Sequence, residues 1–148
     1  MLRPMKKAIL FLTALSFSAS ATADGLTVNG IAYGEPATIT GLWVSNYENS
    51  RFLECPDGSD TPCDSAHADR PLDQWASVSC ADRHCSMLDE PARALTGAGI
   101  SEPPQGSFRI RFIGRHGLMP HKPRHIRDGS LDIWVDRILN MEKLPDAD

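Results

Sequence analysis

The sequence predicts a mainly β protein: a small five-stranded Greek-key barrel with one short helix, preceded by a β-hairpin. Three observations predict this class. Short segments rich in β-branched and aromatic residues recur along the chain. Turn-forming residues separate them, and one segment alone has the pattern of a short helix. Residues 24–148 provide 125 positions, which is enough for a single domain with a modest core.

The first predicted elements are a hairpin and a pair of strands. Residues 26–33 carry Asn29-Gly30 between two short apolar stretches, and this dipeptide favours a type I′ turn. The segment from Ala37 to Asn46 is predicted as a strand, because β-branched and aromatic residues dominate it. A returning strand follows from Ser50 to Cys55. The sequence leaves open whether the hairpin caps the barrel or mediates a contact.

A third strand and a helix come next along the chain. Gln74 to Ser79 is predicted as a short strand. The segment from Asp89 to Gly97 is predicted as a helix, in which Asp89 suits the N-cap and Gly97 the C-terminal stop. A proline-rich connector leads from this helix to the remaining strands.

Two strands complete the predicted barrel. The segment from Ser107 to Arg115 alternates apolar and polar residues, with Phe108, Ile110 and Phe112 on the inward face. The segment from Leu131 to Met141 fits both a helix face and a strand, and its Ile-Trp-Val run decides for a strand. A helix between the third and fourth strands is the element order of the OB-fold, a five-stranded Greek-key barrel.

Two parts of the sequence resemble known proteins. Residues 40–55 (TGLWVSNYENSRFLEC) contain an aromatic-Glu-x-Ser-x-Phe core before a cysteine. This part resembles the first strand pair of small exported bacterial proteins with an OB-like barrel. Residues 110–115 and 135–139 resemble the closing strand pair of the same group. The resemblance implies the fold and carries over no functional residue, and a His/Arg/Pro loop replaces the Gly-rich loop typical of that group.

The first 23 residues have the pattern of a cleavable bacterial export signal. Arg3, Lys6 and Lys7 precede an apolar run at residues 8–17, and Ala21-Thr22-Ala23 is a small-x-small cleavage site. The alternative is an uncleaved membrane anchor, but the run is only half of the roughly 20 residues that span a bilayer. The sequence therefore predicts a periplasmic or secreted protein with no membrane span once the signal is removed.

The cysteines predict disulfide bonds. An even number of cysteines in a small exported domain is typical of disulfides, and three pairings of the four are possible. A metal site that includes His84, which lies close in sequence to two of the cysteines, is the alternative. The four cysteines are Cys55, Cys63, Cys80 and Cys85.

Charge is unevenly distributed after the signal. Residues 24–105 hold 4 basic and 13 acidic residues, whereas residues 106–127 hold six basic residues and no acid. This basic segment suggests a surface for an anionic ligand or an envelope protein partner, although the charges alternatively face the protein's own acidic residues. An acidic protein repels polyanions at long range, which argues against nucleic acid. The candidate binding residues are Arg109, Arg111, Arg115, Lys122, Arg124 and Arg127.

Histidines in the same segment support an alternative function, a periplasmic metal-binding protein. His116, His121 and His125 carry imidazoles of the type that bind Zn²⁺ or Cu²⁺. Pro120 and Pro123 prevent a helix that would place the three on one face. The neighbouring cations also oppose metal binding.

No catalytic signature is present. The chain lacks G-x-S-x-G, H-E-x-x-H, P-loop and C-x-x-C patterns, so no catalytic residue and no cofactor are predicted. Trp43, Trp75 and Trp134 are expected in the core, because aromatic residues supply much of a small core. The sequence therefore predicts a non-enzymatic binding or interaction module.

Overall fold

The computed structural model describes residues 25–46, 50–55, 71–119 and 131–145. Within these ranges the chain forms short and long β-strands and one α-helix in the predicted order. The strands are β1 Leu26–Val28, β2 Ile31–Tyr33, β3 Ala37–Ser45, β4 Ser50–Glu54, β5 Ala76–Ser79, β6 Gly106–His116 and β7 Leu131–Lys143. The helix α1 spans Ser86–Thr96, and a 3₁₀ turn spans Leu72–Gln74. The strand prediction for residues 131–141 is therefore confirmed.

Five of the strands close into a barrel. Their order around it is β3-β4-β5-β7-β6, and β6 returns to pair with β3. The neighbours are antiparallel except for β5 and β7, which run parallel. The helix α1 lies in the chain between the third and fourth barrel strands. This arrangement confirms the predicted OB-like barrel, with β1 and β2 forming a separate hairpin.

The hairpin turn has the predicted chemistry. Asn29 and Gly30 adopt φ values of 50° and 81°, and both central residues of a type I′ turn need positive φ. Val28 pairs with Ile31 across this two-residue turn. The Asn-Gly dipeptide therefore sets the register of the hairpin.

Alternation along the strands builds the barrel interior. Phe108, Ile110 and Phe112 are at most 1% exposed, as their spacing predicts. A second apolar cluster covers the outside of β3 and β4. The Arg51 guanidinium lies over one member of this outer cluster, 4.5 Å from the Trp75 ring centroid. The interior cluster contains Ile39, Trp43, Phe52, Phe108, Ile110, Phe112, Ile133 and Val135, together with Leu88 and Ala92 of α1. The outer cluster contains Leu42, Leu53, Cys55, Trp75 and Leu144.

A glycine permits close packing where β6 and β7 change register. The ladder between them shifts twice, once between Arg111 and Phe112 and once between Ile113 and Gly114. A Cβ at Gly114 would lie 2.5 Å from both the Phe112 ring and the carbonyl oxygen of Trp134. The absence of a side chain therefore lets β6 approach β7 at this irregularity.

The helix begins earlier than the sequence predicts. Its first residue is Ser86, so the prediction of Asp89 as N-cap is wrong, whereas Gly97 ends the helix as expected. The residue before the helix is Cys85, which makes no side-chain cap. Asp82 takes that role, since its Oδ1 accepts a hydrogen bond from the Ser86 backbone N–H at 3.1 Å. These hydrogen bonds from Ser86 lower the pKa of Asp82.

The structure selects one pairing among the cysteines. Cys80 and Cys85 form a disulfide immediately before α1, which is a pairing of sequence neighbours. The bond uses both sulfurs that the alternative metal site would need. Cys55 is buried at the end of β4 and is disulfide-bonded as well, while Cys63 lies outside the described residues.

The helix content bears on the membrane prediction. The helix α1 has 11 residues and carries charged side chains at Asp89 and Arg93. Across the ranges that the structure describes, no helix is long and apolar enough to cross a membrane. Residues 1–23, which carry the predicted export signal, lie outside these ranges.

Candidate functional site

Three of the predicted binding arginines lie along β6, and two of them have acidic partners on β7. Arg109 lies 3.1 Å from a Glu142 carboxylate oxygen, and Arg115 lies 3.1 Å from an Asp136 oxygen. Arg111, between them, is exposed. The antiparallel pairing of β6 with β7 thus neutralises part of the charge that the sequence shows as a block. Lys122, Arg124 and Arg127 lie outside the described residues.

One of the three predicted metal-ligating histidines can be placed. His116 ends β6, and its Nε2 lies 2.6 Å from a Glu54 oxygen. Both side chains are about half exposed. His121 and His125 fall outside the described residues, so metal binding by the three stays a prediction. Among the described residues, no group of three potential ligands is placed to hold a metal ion.

A groove of about 650 Å³ lies where two barrel strands separate. The ladder between β4 and β5 has only two residue pairs, Arg51 with Ser77 and Phe52 with Ala76. Beyond them the strands no longer pair, and the groove opens between this seam and the N-terminal hairpin. Its floor includes Ser77 and Ser79, and we call this cavity the seam groove.

The hairpin forms the roof of the seam groove and is bonded to the barrel. The Gly34 N–H donates to the His116 carbonyl, and the Leu118 N–H donates to the Ala32 carbonyl, both at 2.9 Å. Arg115 adds a 3.4 Å hydrogen bond to the Gly34 carbonyl. These contacts place the hairpin against the barrel, and whether it also mediates a contact with a partner stays a prediction.

A buried tyrosine anchors the roof to the floor. Tyr33 is 2% exposed and hydrogen-bonds with Ser79. Burial raises the pKa of Tyr33, and the charge of nearby Asp132 raises it further. Asp132 is itself 5% exposed and lines the groove. A charged side chain so deep in a small domain is uncommon, and it gives the floor a strong hydrogen-bond acceptor.

An indole ring forms one side of the seam groove. Trp134 is partly exposed, so the expectation of a core position is correct for Trp43 and Trp75 but wrong for Trp134. Its Nε1–H donates to Asp136 at 3.0 Å. Its ring centroid lies 5.8 Å from that of Tyr33, with the planes tilted by 54°. These two contacts fix the orientation of the indole.

The opposite wall is the segment from Cys80 to Cys85. The disulfide closes this segment, and both cysteines line the groove. Asp82 and Arg83 contribute charges of opposite sign from the same wall. From the described part of the chain, the seam groove thus combines hydroxyl groups, an amide, a phenol, two carboxylates, one guanidinium and one indole. Such a set can hold a ligand through hydrogen bonds and an apolar ring contact.

Sequence reasoning missed most of this site. Tyr33 and Trp134 are 101 positions apart, and no local pattern joins them. One usable signal was the Ala-Ser-Val-Ser order of β5, which sends two successive hydroxyls, those of Ser77 and Ser79, to the face opposite the core.

No protein-family model, curated protein or solved structure matches this chain. The assignment of the fold rests on the strand order and on the parallel closure of β5 with β7. Fold and site together define a small OB-like barrel protein with a groove roofed by its N-terminal hairpin.

Proposed function

We propose that this protein is an exported, non-enzymatic binding module that holds a small polar ligand in the seam groove. The observation that carries the proposal is the groove itself, which lies where β4 and β5 separate. In OB-folds, the second and third barrel strands form the face that binds ligands, and β4 and β5 occupy those positions here. The volume of the seam groove, about 650 Å³, is within the usual ~300–1,000 Å³ range of small-molecule sites.

The rigidity of the walls supports the same proposal. Backbone hydrogen bonds hold the hairpin roof, and the Cys80–Cys85 disulfide holds the opposite wall. A site whose walls are ordered before binding loses less conformational entropy when the ligand enters. A modest number of polar contacts is therefore expected to be enough to bind a ligand in the seam groove.

Export is part of the proposal and has separate support. The pattern of residues 1–23 is that of a cleavable signal, and the disulfide is compatible with an oxidising compartment such as the bacterial periplasm. Intact-mass measurement of the protein recovered from a bacterial periplasm checks it. The expected N-terminus is Asp24, and a full-length mass would contradict it.

A matched pair of variants tests the binding function. Ala81 is an exposed residue that lines the seam groove, and Ala94 is an exposed residue of α1 outside that lining. Ala81→Trp is expected to obstruct the groove, whereas Ala94→Trp adds the same side chain elsewhere. A library of small fragment molecules is screened against both variants and the unchanged protein by ligand-observed NMR.

The expected result is a set of fragments that bind the unchanged protein and Ala94→Trp but are lost with Ala81→Trp. The proposal fails if no fragment depends on residue 81 in this way. Binding to the exposed Arg111 region by an anionic ligand is a second, independent prediction. Fragments that carry acidic groups and bind all three proteins equally would favour that surface instead.

A further inference from the structure

The polar groups on the floor of the seam groove suggest the chemistry of its ligand. Ser77 and Ser79 project from β5 away from the barrel interior, and Asn29 adds an amide from the hairpin turn. Hydroxyl and amide groups both donate and accept hydrogen bonds. A ligand with many hydroxyl groups satisfies such a surface, because each of its own hydroxyls also donates and accepts.

The carboxylate of Asp132 adds a stronger hydrogen-bond acceptor to the groove. A carboxylate accepts hydrogen bonds from hydroxyl groups, and these charge-assisted bonds are roughly twice as strong as neutral ones. Asp132 lines the groove and is 5% exposed, so water screens it little. A ligand hydroxyl that reaches this side chain therefore gains more than one at the open rim.

Trp134 supplies an apolar contact of fixed orientation. The indole is partly exposed, and its position is set before binding by Asp136 and by the ring of Tyr33. A pyranose ring presents C–H groups on its faces and hydroxyls around its edge. An indole beside a row of hydroxyl and carboxylate groups matches both parts of such a ring.

The charge of the groove lining indicates which class of OB-fold ligand it can bind. Among the residues that the structure describes, the lining has the carboxylates of Asp82 and Asp132 and the guanidinium of Arg83, so the formal charge of this described lining is negative. A negative groove repels phosphate and sulfate groups. Among the oligonucleotides and oligosaccharides that OB-folds bind, an uncharged oligosaccharide therefore fits best.

We infer that the seam groove binds a short neutral oligosaccharide of about two or three pyranose rings, which fits a cavity of this volume. This inference rests on the binding function proposed above. One sugar ring lies against Trp134, and its hydroxyls bond to Asp132 and to the serines of β5. The Cys80–Cys85 segment encloses the other end of the ligand.

Titration calorimetry with defined probes tests the inference. The full protein is titrated with neutral trisaccharides built from glucose, galactose or N-acetylglucosamine, with a sulfated heparin-derived oligosaccharide, and with a lysine-rich peptide. At least one neutral trisaccharide is expected to bind. Its affinity should fall at least tenfold in Ala81→Trp and in Asp132→Asn, and should be unchanged in Ala94→Trp.

Because Asp132 is buried, Asp132→Asn is checked for folding by circular dichroism, and Ser77→Ala serves as a second, milder variant. Ser77→Ala is expected to weaken neutral trisaccharide binding about threefold. The sugar inference is overturned if no neutral trisaccharide binds, or if binding is the same in Ala81→Trp. Binding of the peptide or the sulfated oligosaccharide alone, lost in Ala81→Trp, overturns the sugar class but leaves the groove as a binding site.

Discussion

Tyr33 joins the hairpin roof to the barrel floor through its side chain. Tyr33→Phe keeps the ring against Trp134 and removes the hydroxyl that bonds with Ser79. Loss of this hydrogen bond is expected to reduce the free energy of unfolding by about 0.5–1.5 kcal/mol. Urea denaturation at neutral pH measures the change. Ser77→Ala, which removes a hydroxyl two residues earlier on the same face of β5, is the control and is expected to cost less.

The raised pKa of Tyr33 also predicts an alkaline effect. Its pKa in the folded protein lies above the usual value of 10.0, because burial and the charge of Asp132 oppose ionisation. The contribution of neutral Tyr33 to the free energy of unfolding is therefore complete below pH 10 and is lost as pH rises through the pKa of Tyr33 in the folded protein. The unchanged protein should lose stability above pH 10 more steeply than Tyr33→Phe. Parallel stability curves for the two proteins would contradict this expectation.

Gly114 is a position where one methyl group should matter. Gly114→Ala places a Cβ 2.5 Å from the Phe112 ring and from the Trp134 carbonyl oxygen. Relief of this overlap requires β6 to move, at an expected loss of about 1–3 kcal/mol in unfolding free energy. Gly99→Ala is the matched control, since nothing lies within 4 Å of its added Cβ. Thermal denaturation distinguishes the two, and equal transition temperatures would show that β6 adapts freely.

At the scale of the elements and their connections, the Cys80–Cys85 segment makes the clearest contribution to the free energy of unfolding. Its disulfide closes a short loop between β5 and α1. Constraint of the unfolded chain by a loop of this length is worth about 2 kcal/mol. The double variant Cys80→Ala with Cys85→Ala is expected to lose this amount in urea denaturation. The double variant should also bind the seam-groove fragments more weakly, because one wall of the groove becomes mobile. Unchanged fragment affinities would contradict this link between the disulfide and binding.

The elements that the sequence predicts well are those set by local chemistry. The hairpin turn follows from Asn29-Gly30, and the inward face of β6 follows from the alternation of its apolar residues. The N-cap position of α1 is Cys85, four residues before the predicted Asp89. The side chain that accepts from the first helical N–H belongs to Asp82, three residues before the N-cap position, where a search for a local N-cap residue does not look.

The candidate site is predictable from the sequence only in part, for a physical reason. The basic segment is visible as a run of charge, but strand pairing places Glu142 and Asp136 opposite Arg109 and Arg115. The seam groove depends on contacts between distant segments, as between Tyr33 and Trp134. Patterns of period two or 3.6 report which face of an element is buried, and they carry no information on which distant element covers it.

At the scale of the whole molecule, three separate parts of the chain supply most of the groove lining, and Ser50 of β4 adds to them. The hairpin supplies the roof, the segment from β5 to α1 supplies the floor and one wall, and the start of β7 supplies Asp132 and Trp134. A ligand that contacts all three stabilises the folded protein as a unit. By mass action, a ligand at a hundred times its Kd adds about 2.7 kcal/mol to the stability.

The short ladder between β4 and β5 has a consequence for local opening of the barrel. β5 gains two residue pairs from β4 and four from β7, whereas β6 is paired along most of its length with both β3 and β7. Local opening is easiest where few backbone hydrogen bonds hold a strand. Amide protons of Ser77–Ser79 are therefore expected to exchange with solvent sooner than those of β6. Slower exchange in β5 than in β6 would contradict this expectation.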